Sequence, residues 1–148
     1  MKVRHSWLVV PLAVAALSVT ACNRSGEPPA AAPQPATIES VEGGGDVHKV
    51  TLTDDSMKQV GIRSEQVKAA AAPSTLTVIP VTAVIYDPKG NSWTYTSVGA
   101  TAFVRKAIVI DHIAGTNAFL RSGPPVGTAV VTVGASELLG VEYGVGEE

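Results

Sequence analysis

Cysteine is nearly absent from this chain: Cys22 is the only one in 148 residues. A single thiol excludes an intramolecular disulfide and any site built on several cysteines. Aromatic residues are scarce at 5% and charged residues make up 16%. Eleven Lys and Arg stand against 13 Asp and Glu, and the sequence pI is near 5.9. That balance excludes a strongly basic nucleic-acid binder. No apolar run reaches the roughly 18 residues of a transmembrane helix, so nothing reads as a multi-pass membrane protein. A hydrophobic content of 45% and a mean hydropathy of +0.24 exclude a chain that is disordered throughout by charge. The length fits one domain.

Catalytic signatures are missing as well. The sequence holds no G-x-S-x-G elbow, no H-E-x-x-H and no phosphate loop. Gly43-Gly44-Gly45 has no helix behind it and reads as a spacer. Asp54-Asp55 reads as helix capping rather than as acid–base machinery. Zinc sites use three or four converging ligands. Beyond Cys22, the chain after residue 21 offers only His48, His112 and one methionine, Met57. Asp111 and His112 are neighbours on a strand and so are expected on opposite faces. The reading is a protein that is not an enzyme, with no cofactor and no metal.

What is present begins with an address. Lys2 and Arg4 precede Trp7–Ala21, fifteen residues without a charge. As a helix this run spans about 22 Å, short of a bilayer core of about 30 Å. It fits the apolar region of a secretory signal peptide, residues 1–21. Val19-Thr20-Ala21-Cys22 then matches the lipobox pattern of a branched apolar residue, small residues and Cys. This resembles the signal of bacterial lipoproteins. The resemblance implies lipidation at Cys22 and cleavage before it, leaving acyl chains such as palmitate as a membrane anchor. Two or three chains hold a protein stably where one is marginal. Lys2 and Arg4 leave with the signal, so nine of the eleven basic residues remain against 13 acidic ones, a formal charge of −4. In the sorting rule known from enterobacterial lipoproteins, Asp after the Cys retains a protein at the inner membrane. Asn23 stands there instead and favours the outer membrane. The implied location is a membrane-anchored lipoprotein facing the periplasm or exterior.

Twelve of the 24 residues from Asn23 to Asp46 are Ala, Pro or Gly, without apolar periodicity. Residues 22–46 therefore read as a disordered tether. The alternative is that Thr37–Val41 packs on the body. From residue 47 to 146 the texture is that of strands. His48–Thr53 alternates, and a short helix Ser56–Val60, capped by Asp54 or Asp55, ends at Gly61. Ile62–Val67 resumes a strand, followed by a featureless joint at 69–74. Leu76–Tyr86 reads as a long strand, and Asp87-Pro88-Lys89-Gly90 as a turn into Ser92–Ser97. Ala102–His112, Ala118–Arg121 and Thr128–Val133 complete the set, with a helical turn or loop at Ala135–Leu139. The expected fold class is all-β: a small β-barrel or sandwich of about six to eight short strands with one short helix, behind a signal peptide and tether.

A second resemblance covers about 90 of the 148 residues. It rests on Ile79–Val84, the hairpin Tyr86–Tyr95, Phe103-Val104-Arg105, Leu120–Gly127, Val130–Gly134 and Ser136-Glu137-Leu138. These segments, in this order, resemble the C-terminal membrane-proximal domain of the periplasmic adaptor proteins of RND-type efflux pumps, also called membrane fusion proteins. Val50–Val67 looks like the segment that opens the mature part of many heavy-metal-type adaptors. Family adaptors carry a lipoyl-like domain and usually an α-helical hairpin between these two regions. Here only Lys68–Ser74 joins them.

The resemblance implies an accessory protein of transmembrane transport that acts by protein–protein contact. The implied partners are the membrane, through Cys22, and an RND-type efflux transporter or its adaptor. Trp93 and Tyr95 share one strand face, and Arg105 and Lys106 interrupt an apolar strand. Trp93, Tyr95 and Arg105 are the candidate partner contacts; the other reading is a hairpin face over the core. A small-ligand or metal-binding lipoprotein that delivers or senses efflux substrates is the alternative function.

Overall fold

The computed structural model describes residues 34–144. The signal segment, Cys22 and most of the tether lie outside those residues. In chain order the elements are β1 (Ala36–Ser40), β2 (His48–Leu52), α1 (Asp54–Val60), β3 (Arg63–Gln66), β4 (Lys68–Ala69) and β5 (Thr77–Pro80). A single 3-10 turn follows at Val81–Ala83. Then come β6 (Ile85–Tyr86), β7 (Ser92–Ser97), β8 (Ala102–Ala107), β9 (Val109–Ala114), β10 (Asn117–Ser122), β11 (Ala129–Val133) and α2 (Ala135–Glu142).

The strands form two antiparallel sheets. The larger has the order β1-β2-β8-β7-β11-β3, with β6 pairing on β7; the smaller has the order β4-β5-β10-β9. Two segments run through both sheets. Residues 63–69 turn the corner at Val67 between β3 and β4, and residues 102–114 turn it at Ile108 between β8 and β9. Both corner side chains are buried in the same cluster. Strands that change sheets by bending are the usual way a two-sheet stack closes its corners. The all-β expectation holds, in a sandwich-like form.

Two apolar clusters follow from the period-2 alternation of the strands. Val131 enters the first cluster, with Val50, Leu52, Tyr95, Phe103 and Leu138. Its neighbour Val130 points the other way into the second, with Val67, Ile79, Ile108, Ala118 and Leu120. The larger sheet thus carries α2 on one face and packs on the smaller sheet with part of the other.

Several expectations need correction. There are eleven strands among the described residues, not six to eight, and two helices rather than one. The apolar run 76–86 is broken by the tight turn after Pro80, and the run 102–112 by the corner at Ile108. The tether is shorter than 22–46, because β1 pairs with β2 over five residues from Ala36↔Leu52 to Ser40↔His48. Thr37 and Ile38 supply β-branched side chains, and Gly43 and Gly45, at φ 73° and 60°, carry the left-handed turn between the strands. The N-cap of α1 is Thr53, whose hydroxyl accepts the Ser56 N–H at 3.2 Å, not Asp54 or Asp55. Gly61 does end that helix.

Candidate functional site

The three candidate contact residues come together, but inside the protein. Tyr95 and Arg105 are cross-strand partners on β7 and β8. Such pairs put their side chains side by side on one face of a sheet. Trp93 lies two residues from Tyr95, on that same face. Tyr95 is 0% and Arg105 1% exposed. As surface contacts for a partner, Tyr95 and Arg105 are therefore ruled out. Arg105 points inward because α2 covers this face; Lys106, its neighbour, points outward and is exposed.

What draws a guanidinium into a core is Glu142. Ala135, Leu138 and Glu142 are the buried residues of α2, at spacings of three and four along one helix stripe. Glu142 thus reaches the sheet on the same stripe as the apolar residues. Its Oε1 accepts the Arg105 Nε–H at 2.9 Å and the backbone N–H of His48 at 2.8 Å. Its Oε2 accepts the Tyr95 hydroxyl. One carboxylate therefore ties β2, β7 and β8 to α2.

The rest of the guanidinium is also engaged. Arg105 Nη1 donates to the Tyr143 hydroxyl at 3.3 Å, and Nη2 donates to the Asp46 carbonyl. The Asp46 carboxylate lies 3.7 Å from Nη2. The Trp93 ring lies 4.5 Å from Arg105 Cζ and the Tyr143 ring 5.4 Å, which gives cation–π contacts. Trp93 is half-buried and is fixed from its other end, where Nε1–H donates to Asp87 at 3.1 Å. Asp87 also accepts the N–H groups of Lys89 and Asn91 and the Asn91 amide. The turn at 87–90 therefore orients the Trp93 ring against Arg105.

Burial and hydrogen bonding shift three groups of this cluster. Burial, then the Glu142 hydrogen bond and charge, hold the Tyr95 phenol well above its ordinary range. Burial pulls the Arg105 guanidinium down, but the hydrogen bond and charge of Glu142 outweigh it and the net direction is up. Asp87 is lowered to about 2, chiefly by the Asn91 side-chain hydrogen bond, with backbone donors and Trp93 adding against burial. The phenol and the Arg105–Glu142 pair, closed beneath α2, form a structural clamp.

On the hairpin β9–β10 a smaller cluster is exposed. Asp111 pairs with His112 Nδ1 at 2.7 Å and accepts Arg121 Nε–H at 2.5 Å. The expectation that Asp111 and His112 face apart fails here. The register skips Asp111 between Leu120↔Ile110 and Phe119↔His112, and such a bulge breaks the alternation. The His112 ring stacks on Phe119 at 4.4 Å. His48 has its Nδ1 buried and unpaired, 3.7 Å from Glu142 Oε1. No group of three metal-ligating side chains occurs among the described residues.

Lys106 lies on the outward side of β8, between two open grooves. The larger, about 480 Å³, is lined on one side by Thr96, Ser97, Val98, Lys106 and Ala107, and on the other by Ser122–Pro125 and Thr128. The smaller, about 370 Å³, shares Val98 and Lys106 and adds Glu39 and Lys49. Val98 is 56% exposed. From the sequence, Lys106 interrupts an apolar strand and either it or Arg105 is expected to point outward, toward an acidic partner or solvent; the grooves were missed. The walls come from segments far apart in the chain, and no local pattern brings 98, 106 and 124 together.

No protein-family model, no curated protein and no solved structure matches this chain.

Proposed function

We propose that this chain is a lipid-anchored envelope protein that acts by protein–protein contact beside a transport complex, without catalysing a reaction. The observation that carries the reading is Val19-Thr20-Ala21-Cys22 placed ahead of an all-β body. The ordered likeness of Val78–Gly146 to the pump-facing domain of efflux adaptors supplies the partner class, an RND-type transporter or its adaptor. The anchor faces the periplasm or exterior, with the outer membrane favoured by Asn23. Because Tyr95 and Arg105 are used in the interior, the proposed contact surface is the outward side of β8 around the exposed Val98 and Lys106.

The test is a photo-crosslinking residue at position 98 in a C-terminally tagged copy expressed in its own cells. Recovery of an RND-type pump or its adaptor supports the reading. Recovery of no transport component, with the protein lipidated and folded, contradicts it.

A second reading, a small-ligand-binding lipoprotein, is favoured by one feature. A groove of about 480 Å³ falls within the size range of small-molecule sites, roughly 300–1,000 Å³.

A further inference from the structure

We propose that the groove beside β8 binds a small amphipathic carboxylate, with its head at Lys106 and its apolar body against Val98, Ala107, Pro124 and Pro125. The inference rests on the small-ligand reading and names the ligand class for it. The argument is charge complementarity within an apolar trough. Lys106 takes part in no ion pair among the described residues. No acidic residue lines the larger groove. In the smaller one the only carboxylate, Glu39, is held by Lys49 at 2.6 Å. The neighbouring arginine on the strand, Arg105, is spent internally on Glu142. One cation thus stands uncompensated where two grooves meet, on a body whose formal charge is negative.

The other groups of the site suit a carboxylate head and an apolar tail. A lysine stem lies easily along apolar surface while its ammonium stays at the rim. Ser122 and Thr128 line the opposite wall with hydroxyl donors. The Thr96 hydroxyl is already committed to the Val104 carbonyl at 2.9 Å. Pro124 is buried and fixes the wall, which needs little ordering when a ligand enters. The groove suits a single short chain or ring system with one anionic end, and is small for a two-chain phospholipid.

The test uses the processed chain with Cys22→Ser, so that no acyl chain competes. Decanoate and decanol, each below micelle-forming concentration, are titrated by calorimetry and by backbone NMR shifts. Decanoate is expected to bind about tenfold more tightly than decanol, the worth of one charge-assisted contact. The shifts are expected at Val98, Ala107 and Ser122. Lys106→Gln is expected to bring decanoate to the level of decanol and to leave decanol unchanged. Lys106 is exposed, so this variant keeps the wild-type circular dichroism; Ala107→Trp, which fills the groove, is expected to abolish both. Equal binding of decanoate and decanol, or undiminished decanoate binding by Lys106→Gln, overturns this inference while small-ligand binding stands. No binding of either molecule overturns both.

Discussion

Arg105 and Glu142, 37 residues apart in the chain, meet at 2.9 Å with both side chains sealed from solvent. Taking two charges out of water is costly, and the cost is recovered only when the remaining donors and acceptors are satisfied. Here they are: His48 N–H and Tyr95 OH complete the carboxylate, and Tyr143 and the Asp46 carbonyl share the guanidinium. The pair fixes where α2 docks on the sheet.

Removing one partner is therefore expected to cost more than removing both. Glu142→Ala removes the buried counter-charge of Arg105, leaving only the exposed Asp46 carboxylate at 3.7 Å, and is expected to lose about 3–5 kcal/mol of stability. Arg105→Met combined with Glu142→Leu is expected to regain most of that loss. Urea denaturation of the three proteins measures the difference. A loss below about 1 kcal/mol for Glu142→Ala, the size of a surface pair, contradicts a buried clamp.

The fold was legible in the sequence where local chemistry decides it. Gly61 ends α1, Asp87–Gly90 turns the chain, and the β-branched run Thr128–Val133 becomes the strand between β7 and β3. What escaped were features fixed by distant contacts. β1 is written in tether-like composition and becomes a strand only because β2 offers it a ladder. The corner at Ile108 is an ordinary apolar residue whose bend is set by the second sheet. Arg105 was visible as an interruption in an apolar strand, and a buried cation implies a buried anion. Glu142 lies beyond the helical turn or loop expected at Ala135–Leu139, so the partner was missed.

Stability is expected to fall at both ends of the pH scale. Asp87 has its folded-state pKa lowered to about 2, against an ordinary value of about 4. A lowered carboxylate stabilises the fold above its unfolded pKa, and that contribution is lost as pH falls from about 4 toward 2. Asp111, lowered by His112 and then Arg121, acts in the same direction. Tyr95 has a raised pKa, so its contribution is complete below about 10 and is lost as pH rises above that. Urea midpoints across pH check both limbs. Asp87→Asn is expected to flatten the acid limb and Tyr95→Phe the alkaline one. Unchanged limbs in these variants contradict the assignments.

Gly134 opens α2 at φ 86°, and a Cβ there would fall 2.3 Å from Ile62 Cδ1 and 2.8 Å from Val60 Cγ1. Gly127 has the same φ with nothing within 4 Å. Gly127→Ala is expected to cost about 1–2 kcal/mol, the left-handed backbone penalty alone. Gly134→Ala is expected to cost more, because Ile62 and Val60 must also move. Thermal unfolding of the two variants compares them, and equal losses contradict a tight seat for the start of α2.

Whether the chain works from a lipid anchor is decided most directly by its intact mass after purification from the membrane fraction. The expected mass is that of residues 22–148 plus a diacylglyceryl group on the Cys22 thiol, with or without a third acyl chain on its amino terminus, and Cys22→Ala is expected to carry no lipid. A membrane-fraction protein that retains residues 1–21, or a processed chain carrying no lipid, contradicts the anchor and with it the proposed mode of action.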